Sequence, residues 1–285
     1  MKILVTGALG QLGQELQNKA KTSAHEFIFT DVDSLNILEE KKILDFIQDK
    51  RIDTVINCAA YTAVDRAEDE SKLAFEINAV GPKNLAIACK VMNASLIHIS
   101  TDYVFDGKKS HPYLEDDEKN PTSIYGQSKL EGEKNIISHG NRAAIIRTSW
   151  LYSPYGANFV KSILKLLEDG KPLRIVNDQI GSPTYAGDLA DILLLHSNSL
   201  VPSSGVEIFH YTNDGVASWY DFAVAIKELN RRSQTILPVR SSEYPTKATR
   251  PNYSVLSKEK IKTHLKIQIP FWKTSLKECM KSLSK

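Results

Sequence analysis

A tyrosine and a lysine four residues apart, Tyr125 and Lys129, have the types and the spacing that proton chemistry requires. On a helix, residues at this spacing lie on one face. A phenol ordinarily titrates near ~10, and a neighbouring positive charge lowers its pKa. A tyrosine so placed can donate its proton to a carbonyl oxygen while hydride reaches the carbon. The spacing alone also fits a surface tyrosine beside a solvated lysine, so the surrounding motifs decide.

The predicted strand 96–99 leads into a polar stretch, 100–107, that includes Thr101 and Asp102. Open α/β sheets bind ligands outside the carboxyl ends of their strands. At this position Thr101 can donate a hydrogen bond to the carbonyl oxygen that Tyr125 protonates, and Asp102 can accept one from a sugar hydroxyl. Both residue types also cap turns, which is the alternative interpretation.

Three glycines, Gly7, Gly10 and Gly13, lie between a predicted strand and a predicted helix. This order suits a dinucleotide. The first glycine makes the tight turn, the second lets a pyrophosphate approach the backbone, and the third lets helix and strand pack closely. The start of the helix adds free N–H groups and the positive end of its dipole. Because glycines also simply end strands, the prediction depends on this placement.

Asp31 follows the second predicted strand, where an acid can accept hydrogen bonds from the hydroxyls of an adenosine ribose. The alternative role is a turn or helix cap, as for Asp33 beside it. An acid at this place disfavours a 2′-phosphate, and no lysine or arginine follows until Lys41. From the residues alone, NADH is therefore at least as suitable a cofactor as NADPH.

Short apolar runs alternate with longer amphipathic ones in the first half of the chain, and they have to position these residues. The predicted strands are 3–5, 27–29, 54–57 and 96–99, and the predicted helices are 11–20, 39–50 and 71–92. Apolar runs that do not alternate with polar residues, separated by helices, are typical of a parallel sheet covered on both faces. The fold class is therefore α/β, with a doubly wound (Rossmann) parallel sheet.

The alternation of predicted strands and helices becomes less regular after Trp150. We expect residues 1–150 to form a dinucleotide-binding domain and 151–285 to form mainly a smaller α/β substrate-binding lobe, with parts of 173–200 returning to the first domain. The stretch 238–253 is rich in proline and polar residues and is predicted to be a loop.

The composition excludes several functional classes. With 42% hydrophobic and 25% charged residues the chain can form a packed core, and its net charge of +2 offers no basic surface for nucleic acid or membranes. Three cysteines without CxxC spacing fit a reducing cytoplasm better than a disulfide framework or a zinc site. No apolar run has the ~18 residues of a membrane span. We therefore expect a cytoplasmic protein without bound metal.

Taken in order, these motifs resemble the extended short-chain dehydrogenase/reductase family. The matching stretches span nearly the whole chain: 7–13, 57–65, 100–107, 125–129, 147–150, 176–179 with Gly181, 183–184 and 250–251. The resemblance implies that Tyr125 is the proton donor, that Lys129 tunes it and holds the nicotinamide ribose, and that Thr101 polarises the carbonyl. It also implies that the following residues line the dinucleotide: Gly10, Gln11, Leu12, Asn36, Ile37, Ala59, Ala60 and Tyr61.

The resemblance also implies a nucleotide-sugar substrate. Asp102 and Trp150 would contact the deoxysugar, and Arg250 would meet the diphosphate, for which its forked donors are apt. Without the resemblance, Trp150 is better explained as a core tryptophan and Arg250 as a solvated loop charge. The relatives that the chain resembles most reduce the C4 ketone of dTDP-6-deoxy-L-lyxo-4-hexulose to dTDP-L-rhamnose, with NADPH or NADH as the hydride source.

Two alternatives remain open. A nucleotide-sugar epimerase or dehydratase belongs to the same family, but dehydratases place Asp-Glu where this chain has Asp102 and Tyr103. A non-catalytic binding subunit would not need Tyr125, Lys129 and Thr101 together.

The sequence also allows predictions about the oligomeric state, about His98 and about the acidic run 115–118. Some relatives dimerise around magnesium held by glutamates; Glu15 is retained, but the helical region after Gly187 offers Asp188 and the C-terminal helix offers no acid in the expected region. We therefore expect a monomer or a weak homodimer. His98 is predicted to be a satisfied core histidine, and the acidic run 115–118 a solvated loop.

Overall fold

Six parallel strands form the central sheet of the computed structural model, which describes residues 1–283. Their order is β2-β1-β3-β4-β5-β10, numbered along the chain. They are β1 (Lys2–Thr6), β2 (Glu26–Thr30), β3 (Thr54–Asn57), β4 (Ser95–Thr101), β5 (Arg142–Thr148) and β10 (Gly205–His210). The chain winds in one direction from β1 to β2 and in the other from β3 onward, so the crevice where such sheets bind ligands opens at the carboxyl ends of β1 and β3.

Helices cover both faces of the sheet. The helices on one face are α1 (Gln11–Ala20), α8 (Ala186–Leu200) and α10 (Glu259–Leu265); those on the other are α2 (Glu40–Lys50), α5 (Gly81–Val91) and α6 (Ile124–His139). Each face has its own buried apolar cluster, with Val5 and Ile97 in one and Leu4 and Leu96 in the other. Because the alternate residues of a buried strand serve opposite faces, the strands had to be apolar throughout. The predicted doubly wound class is confirmed.

The helical region predicted over 71–92 is interrupted. It consists of α4 (Ser71–Phe75), a π-helical turn (Glu76–Val80) and α5, preceded by the short α3 (Val64–Ala67). In the π turn the buried Asn78 side chain bonds both main-chain groups of Tyr61, at 2.9 and 3.0 Å, and donates to Ser128 Oγ at 3.0 Å. The irregular turn thus ties the loop after β3 to helix α6. Insertions of this kind are frequent at functional sites.

The C-terminal half contains a smaller α/β lobe, as predicted. Two-stranded pairs join β6 (Leu151–Tyr152) to β9 (Thr184–Tyr185), β7 (Leu173–Val176) to β12 (Ile236–Val239), and β8 (Ile180–Gly181) to β11 (Ala217–Ser218). Helices α7 (Phe159–Glu168), α9 (Trp219–Leu229) and α11 (Trp272–Leu283) pack with them around a third apolar core. The predicted loop 238–253 is wrong at its start, because Pro238 and Val239 extend a strand that pairs with β7.

Parts of the second half return to the main sheet. Within 173–200, helix α8 packs against α1, whereas strand β7 belongs to the lobe, and β10 forms one edge of the main sheet. The division into a dinucleotide-binding domain and a substrate-binding lobe stays a prediction. Over residues 1–283, no helix combines the length and the apolar character needed to cross a membrane.

Candidate active site

The glycine turn lies at the crevice between β1 and β3. Gly7 has a φ of 69°, and a Cβ atom added to it would lie 2.5 Å from the Ala59 nitrogen, so only glycine fits. A Cβ on Gly13 would collide with the Gly7 carbonyl, which explains the close packing of α1 on the turn. Gly10 is different, since its added Cβ would approach only the Gly7 oxygen, at 3.3 Å. Helix α1 begins after Gly10 without a side-chain cap, which leaves its N-terminal N–H groups open to an anion.

A cavity of about 630 Å³ begins at this turn and follows the carboxyl edge of the sheet. Residues predicted for the site that line it are Gly10, Gln11, Leu12, Gly13, Ala60, Thr101, Asp102, Tyr125, Lys129 and Trp150. Residues to which the sequence assigned no role, some of them within the matching stretches, also line it: Cys58, Thr62, Val64, Ile99, Ser100, Tyr103, Thr148, Ser149, Leu151, Gly156, Ala157, Asn158 and Trp219. The glycine turn, the uncapped helix start and the length of this cavity fit an extended dinucleotide.

Three residues predicted to bind the cofactor, Asp31, Asn36 and Ile37, do not line this cavity. Asp31 accepts hydrogen bonds from the Leu9 and Val32 nitrogens, both at 2.8 Å, so its carboxylate orders the glycine turn. Ile37 is only 6% exposed and packs in the core, where Gly81 makes room for it. The Asn36 side chain caps the main chain of its own loop.

The loop after β3 contributes unevenly to the cavity. Ala60 lines it, whereas Ala59 and Tyr61 do not. The Tyr61 hydroxyl instead donates to Glu70 at 2.5 Å, on the outer side of the loop. The resemblance identified the positions along the chain, but which of their side chains face the cavity depends on the packing of the loop.

Tyr125 and Lys129 are buried on one face of α6. The helix begins at Ser123, whose hydroxyl accepts from the Gly126 nitrogen at 3.2 Å. A Cβ on Gly126 would collide with the Tyr103 carbonyl, so this glycine lets α6 approach the 3₁₀ turn Asp102–Val104. The Tyr103 and Tyr125 rings meet edge to face, 5.4 Å apart. The alternative of a surface tyrosine beside a solvated lysine is therefore wrong.

Burial sets the protonation of the pair. It raises the pKa of Tyr125 to about 12, against the effect of a hydrogen bond with Thr101. The expected lowering of this pKa by Lys129 is therefore wrong, because desolvation outweighs any charge nearby. Burial also lowers the pKa of Lys129 to about 8. Near neutral pH Tyr125 keeps its proton and is fit to donate it.

Thr101 and Asp102 end strand β4 beside Tyr125. The Thr101 hydroxyl donates to Asp102 Oδ1 at 3.0 Å and accepts from the Tyr103 nitrogen at 3.2 Å, which is the turn capping that the sequence allowed. Burial raises the pKa of Asp102 to about 6, against the effect of side-chain hydrogen bonds with Ser254 and Thr101. Among residues 1–283, no group has good hydrogen-bond geometry to its Oδ2 atom, so the contact with Ser254 is weak. A buried acceptor facing a cavity without a well-placed partner is suited to a ligand hydroxyl.

His98 is fully buried, as predicted, and has partners on both ring nitrogens. Nδ1 lies 2.9 Å from Asn57 Nδ2, and Nε2 lies 3.2 Å from Lys129 Nζ. Lys129 Nζ also donates to the Ile99 carbonyl at 2.7 Å. The sequence could not reveal the contact with Lys129, because it joins two elements 31 residues apart.

Trp150 stands at the outer end of the cavity. Its ring stacks on Trp219 with centroids 3.6 Å apart and an interplanar angle of 8°. Trp150 has a φ of 48°, and Gly181 leaves the space that its ring occupies. Its half-buried ring borders the cavity and also packs against the apolar core of the lobe, so its contact with a deoxysugar stays a prediction. The sequence did not predict that Trp219 lines the cavity, because Trp219 begins helix α9 and meets Trp150 only in the folded chain.

Arg250 lies in a second cavity of about 360 Å³, which shares Trp219 with the first. Its Nη1 and Nη2 atoms donate to Asp65 Oδ1 and Oδ2 at 3.0 and 2.7 Å. This hydrogen-bonded pair lowers the pKa of Asp65. Arg174, Gln179 and other side chains complete the wall: Phe159, Ile175, Val176, Tyr244 and Thr246. Arg250 is thus not a freely solvated charge.

Glu15 is a buried carboxylate on helix α1. It is 3% exposed, burial raises its pKa, and its Oε1 atom has no hydrogen-bond partner within residues 1–283. Asp188 accepts from Asn213 and Ser275, at 2.6 and 2.5 Å. These neutral donors occupy the carboxylate, and over the same residues no three metal-ligating side chains cluster. That this chain lacks a metal-bridged dimer stays a prediction.

Comparison with known proteins extends over the full length of the chain. The family model of the RmlD substrate-binding domain matches residues 1–285. The spore coat polysaccharide biosynthesis protein SpsK of Bacillus subtilis is 42% identical, over 99% of this chain and 98% of its own. The crystal structure of a dTDP-4-dehydrorhamnose reductase from Clostridium acetobutylicum is 43% identical, with a TM-score of 0.95 and full coverage of both chains. That of the Bacillus anthracis dTDP-4-dehydrorhamnose reductase, in complex with NADP, is 37% identical, with a TM-score of 0.93 over 99% of each chain.

Proposed function

The chain belongs to the RmlD substrate-binding domain family, that of the dTDP-4-dehydrorhamnose reductases, and from this membership we propose that it reduces the C4 ketone of dTDP-6-deoxy-L-lyxo-4-hexulose to dTDP-L-rhamnose. The cofactor is NAD(P)H, as in the related structure that holds NADP. The product would serve the synthesis of cell-surface polysaccharide.

One observation carries the proposal. Tyr125, Thr101 and Lys129 meet in a single cavity that begins at the glycine turn and ends at Trp150. A proton donor, a carbonyl-polarising hydroxyl and a dinucleotide-binding turn thus line the same cavity. A binding subunit would need the cradle alone.

The catalytic roles follow from the state of each side chain. When bound, the reduced nicotinamide supplies the hydride that adds to C4. The Tyr125 phenol, whose pKa burial raises to about 12, donates its proton to the ketone oxygen, so that the carbonyl becomes a hydroxyl. Thr101 has one hydroxyl hydrogen, which it donates to Asp102 Oδ1 in the free protein. When substrate binds, this hydrogen turns to the same ketone oxygen and stabilises the charge that develops on it. Tyr125 then regains a proton from solvent.

The remaining residues hold the two ligands. Lys129 binds the nicotinamide ribose, and the turn Gly7 to Gly13 with Gln11 and Ala60 receives the rest of the dinucleotide within residues 1–150. Asp31 accepts from the adenosine ribose in addition to ordering the turn. On the substrate side, the weakly bonded Oδ2 atom of Asp102 accepts from a sugar hydroxyl.

The outer residues hold the nucleotide sugar. The Trp150 ring packs against the deoxysugar. Arg250 meets the diphosphate by exchanging one carboxylate partner for phosphate oxygens of the same geometry. The nucleotide then extends into the second cavity, within the lobe 151–285.

An assay with the purified protein, dTDP-6-deoxy-L-lyxo-4-hexulose and NADPH or NADH tests the proposal. We expect the nicotinamide absorbance to fall by one cofactor per sugar reduced, with dTDP-L-rhamnose as the product. Sugar rearrangement without net cofactor consumption would instead identify an epimerase or dehydratase. A folded protein that binds both ligands and turns over neither would be the binding subunit.

Replacement of the proton donor tests the assignment of roles. We expect Tyr125→Phe to lower kcat by about 10²- to 10⁴-fold, the usual contribution of a positioned general acid, with little change in KM. Tyr220→Phe, on α9 and outside both cavities, is the matched control and should leave kcat unchanged. Equal activity of the two variants would contradict the role of Tyr125.

A further inference from the structure

A glutamine side chain joins the glycine turn to the C-terminal lobe. Gln11 is the first residue of α1, and its Oε1 atom accepts from Asn158 Nδ2 at 3.0 Å, although 147 residues separate the two in the chain. Its Nε2 atom lies 3.5 Å from the Leu151 carbonyl, a longer contact. Gly156 has a φ of 61°, and a Cβ atom on it would lie 3.2 Å from Gln11 Cγ, so the loop 153–158 packs closely on this side chain. The amide of Gln11 is thus directed toward the lobe.

The partner of Gln11 is the residue that starts helix α7. Asn158 Oδ1 accepts from the Lys161 nitrogen at 3.2 Å and so caps the helix. Asn158 Nδ2 has two hydrogens, and besides Gln11 it donates to the Ser153 carbonyl at 2.8 Å. One side chain therefore holds the helix start, the loop before it and the glycine turn together.

The start of α7 borders both cavities. Ala157 and Asn158 line the first cavity, and the next residue, Phe159, lines the second. The Phe159 ring packs on Trp219 with centroids 4.6 Å apart, and Trp219 in turn stacks on Trp150. A movement of the helix start would therefore change the walls of both cavities at once.

The other glutamines of α1 show a contrast. Gln14 donates to the Leu9 carbonyl and Gln17 to the Ala8 carbonyl, both at 2.7 Å. These two side chains hold the turn from its own helix, whereas that of Gln11 ties it to the lobe. The main-chain N–H of Gln11 belongs to the uncapped start of α1, so the residue can serve the dinucleotide with its main chain and the lobe with its side chain.

We propose that Gln11 is a positioning residue that holds Asn158, fixes the start of α7 against the glycine turn and so couples the occupancy of the two cavities. A dinucleotide in the first cavity contacts both the turn and the loop 153–158, which restrains the start of α7 further. The second ligand then meets Phe159 and Trp219 already ordered, and it loses less conformational entropy on binding. This inference rests on the proposed function only in taking the first cavity for the dinucleotide and the second for the substrate nucleotide.

The linkage between two ligands that do not react tests the inference in the full chain. By calorimetry we measure the Kd of NADP⁺ with and without saturating dTDP, and we expect dTDP to lower it about 5-fold or more, the lower end of typical coupling between sites. In Gln11→Ala, and in Asn158→Ser, where serine still caps α7, dTDP should change this Kd by less than about 2-fold. An unmodified protein that binds both ligands without coupling, or a Gln11→Ala variant with full coupling, overturns the inference.

The double variant separates positioning from direct contact with the dinucleotide. If Gln11 acts through Asn158, Gln11→Ala should weaken NADP⁺ binding in the unmodified protein but not in the Asn158→Ser background. Equal weakening in both backgrounds would mean that the Gln11 side chain contacts the dinucleotide itself, and it contradicts the inference. Asn18→Ala, an exposed amide of the same helix, is the matched control and should keep the full coupling.

Hydrogen exchange with NADP⁺ alone is a second readout, which needs no ligand in the second cavity. The Lys161 amide lies in the first turn of α7 and outside both cavities. Saturating NADP⁺ should slow the exchange of this turn about 5-fold or more in the unmodified protein and clearly less in Gln11→Ala. Similar slowing in the two proteins refutes the positioning role.

Neither readout depends on turnover. A protein that does not bind dTDP contradicts the proposed function, and hydrogen exchange then decides the inference by itself. Coupled cavities in an inactive protein contradict the proposed function alone, and an active protein without coupling contradicts this inference alone.

Discussion

Two arginine–carboxylate pairs in this molecule are both joined by two parallel hydrogen bonds, through Nε and Nη2 of Arg147 and through Nη1 and Nη2 of Arg250, but their surroundings are opposite. Arg147 donates to Glu133 at 2.9 and 2.7 Å beneath the sheet edge, where the two side chains are 0% and 1% exposed. Arg250 donates to Asp65 at 3.0 and 2.7 Å beside the second cavity, where the exposed fractions are 24% and 44%. From the donor–acceptor distances alone, the two pairs would be expected to be equally strong.

Their surroundings give them different tasks. The inner pair is completed by protein groups: Ser100 donates to Glu133 at 2.5 Å, and Arg147 donates to the Glu115 carbonyl at 3.0 Å. No ligand can replace these partners without leaving a buried charge unpaired. The outer pair borders a cavity and water, so Arg250 can exchange its partner at small cost. The inner pair therefore maintains the structure beneath the site, and the outer pair is suited to binding.

The largest effect should come from breaking the inner pair. Arg147→Met leaves the Glu133 carboxylate buried without its partner, and we expect it to lower the free energy of unfolding by about 3 to 5 kcal/mol. Urea unfolding measures this change. Arg142→Met, at the half-buried start of the same strand, is the matched control and should change stability by no more than about 0.5 kcal/mol. Similar losses in the two variants would show that burial does not distinguish the inner arginine.

The pH dependence of stability should differ in sign between two carboxyl groups, that of Asp102 in the first cavity and that of Asp65 in the outer pair. Burial raises the pKa of Asp102 in the folded protein to about 6, from 3.8 when unfolded, so the folded state binds the proton more tightly. This carboxyl therefore costs stability as the pH rises from about 4 to 6, up to about 3 kcal/mol. Asp102→Asn should remove that fall in urea unfolding measured across the window.

Asp65 supplies the opposite case for the same measurement. Its pKa is lowered by Arg250, so its contribution is present above the ordinary carboxyl pKa and is lost as the pH falls through the lowered value. Asp65→Asn should therefore flatten the acid side of the stability profile, and only slightly, because the pair is partly exposed. A profile for Asp102→Asn that matches the unmodified protein would refute the buried, raised-pKa state of Asp102.

Breaking the outer pair should affect binding more than folding. For Arg250→Met we expect KM for the dTDP-sugar to rise about 10- to 100-fold, since hydrogen bonds to a charged group are lost, with kcat nearly constant. The free energy of unfolding should change by no more than about 1 kcal/mol. Lys247→Met removes a charge from the same loop, where Lys247 pairs with the exposed Asp69, and should leave KM unchanged. An unchanged KM for Arg250→Met would exclude its proposed contact with the diphosphate.

The sequence could predict those features that depend on contacts between residues near each other in the chain. Gly7 and Gly13 reveal their task through local geometry, and Tyr125 and Lys129 through helical spacing. The strands were predictable because both of their faces are buried. In each case the residues that cooperate are near each other in the chain.

Features that depend on distant packing could not be predicted. Trp219 enters the site from a helix that starts far along the chain from Trp150, and His98 meets Lys129 only once β4 lies beneath α6. The resemblance implied that Ile37 lines the dinucleotide; its side chain is buried in the core next to Gly81, and the contact with the cofactor stays a prediction. The lowered pKa expected for Tyr125 failed for the same reason, since spacing gives the charge but not the burial.

The smallest effect should be the coupling within the outer pair itself. A double-mutant cycle of Asp65→Asn and Arg250→Met measures it by urea unfolding, and for a partly exposed pair we expect about 0.2 to 1 kcal/mol. If Arg250 changes partner on binding, substrate at saturation should reduce this coupling further, because the carboxylate then faces an arginine already engaged. A coupling in the free protein as large as the loss in Arg147→Met would mean that forked geometry, rather than burial, sets the strength of both pairs.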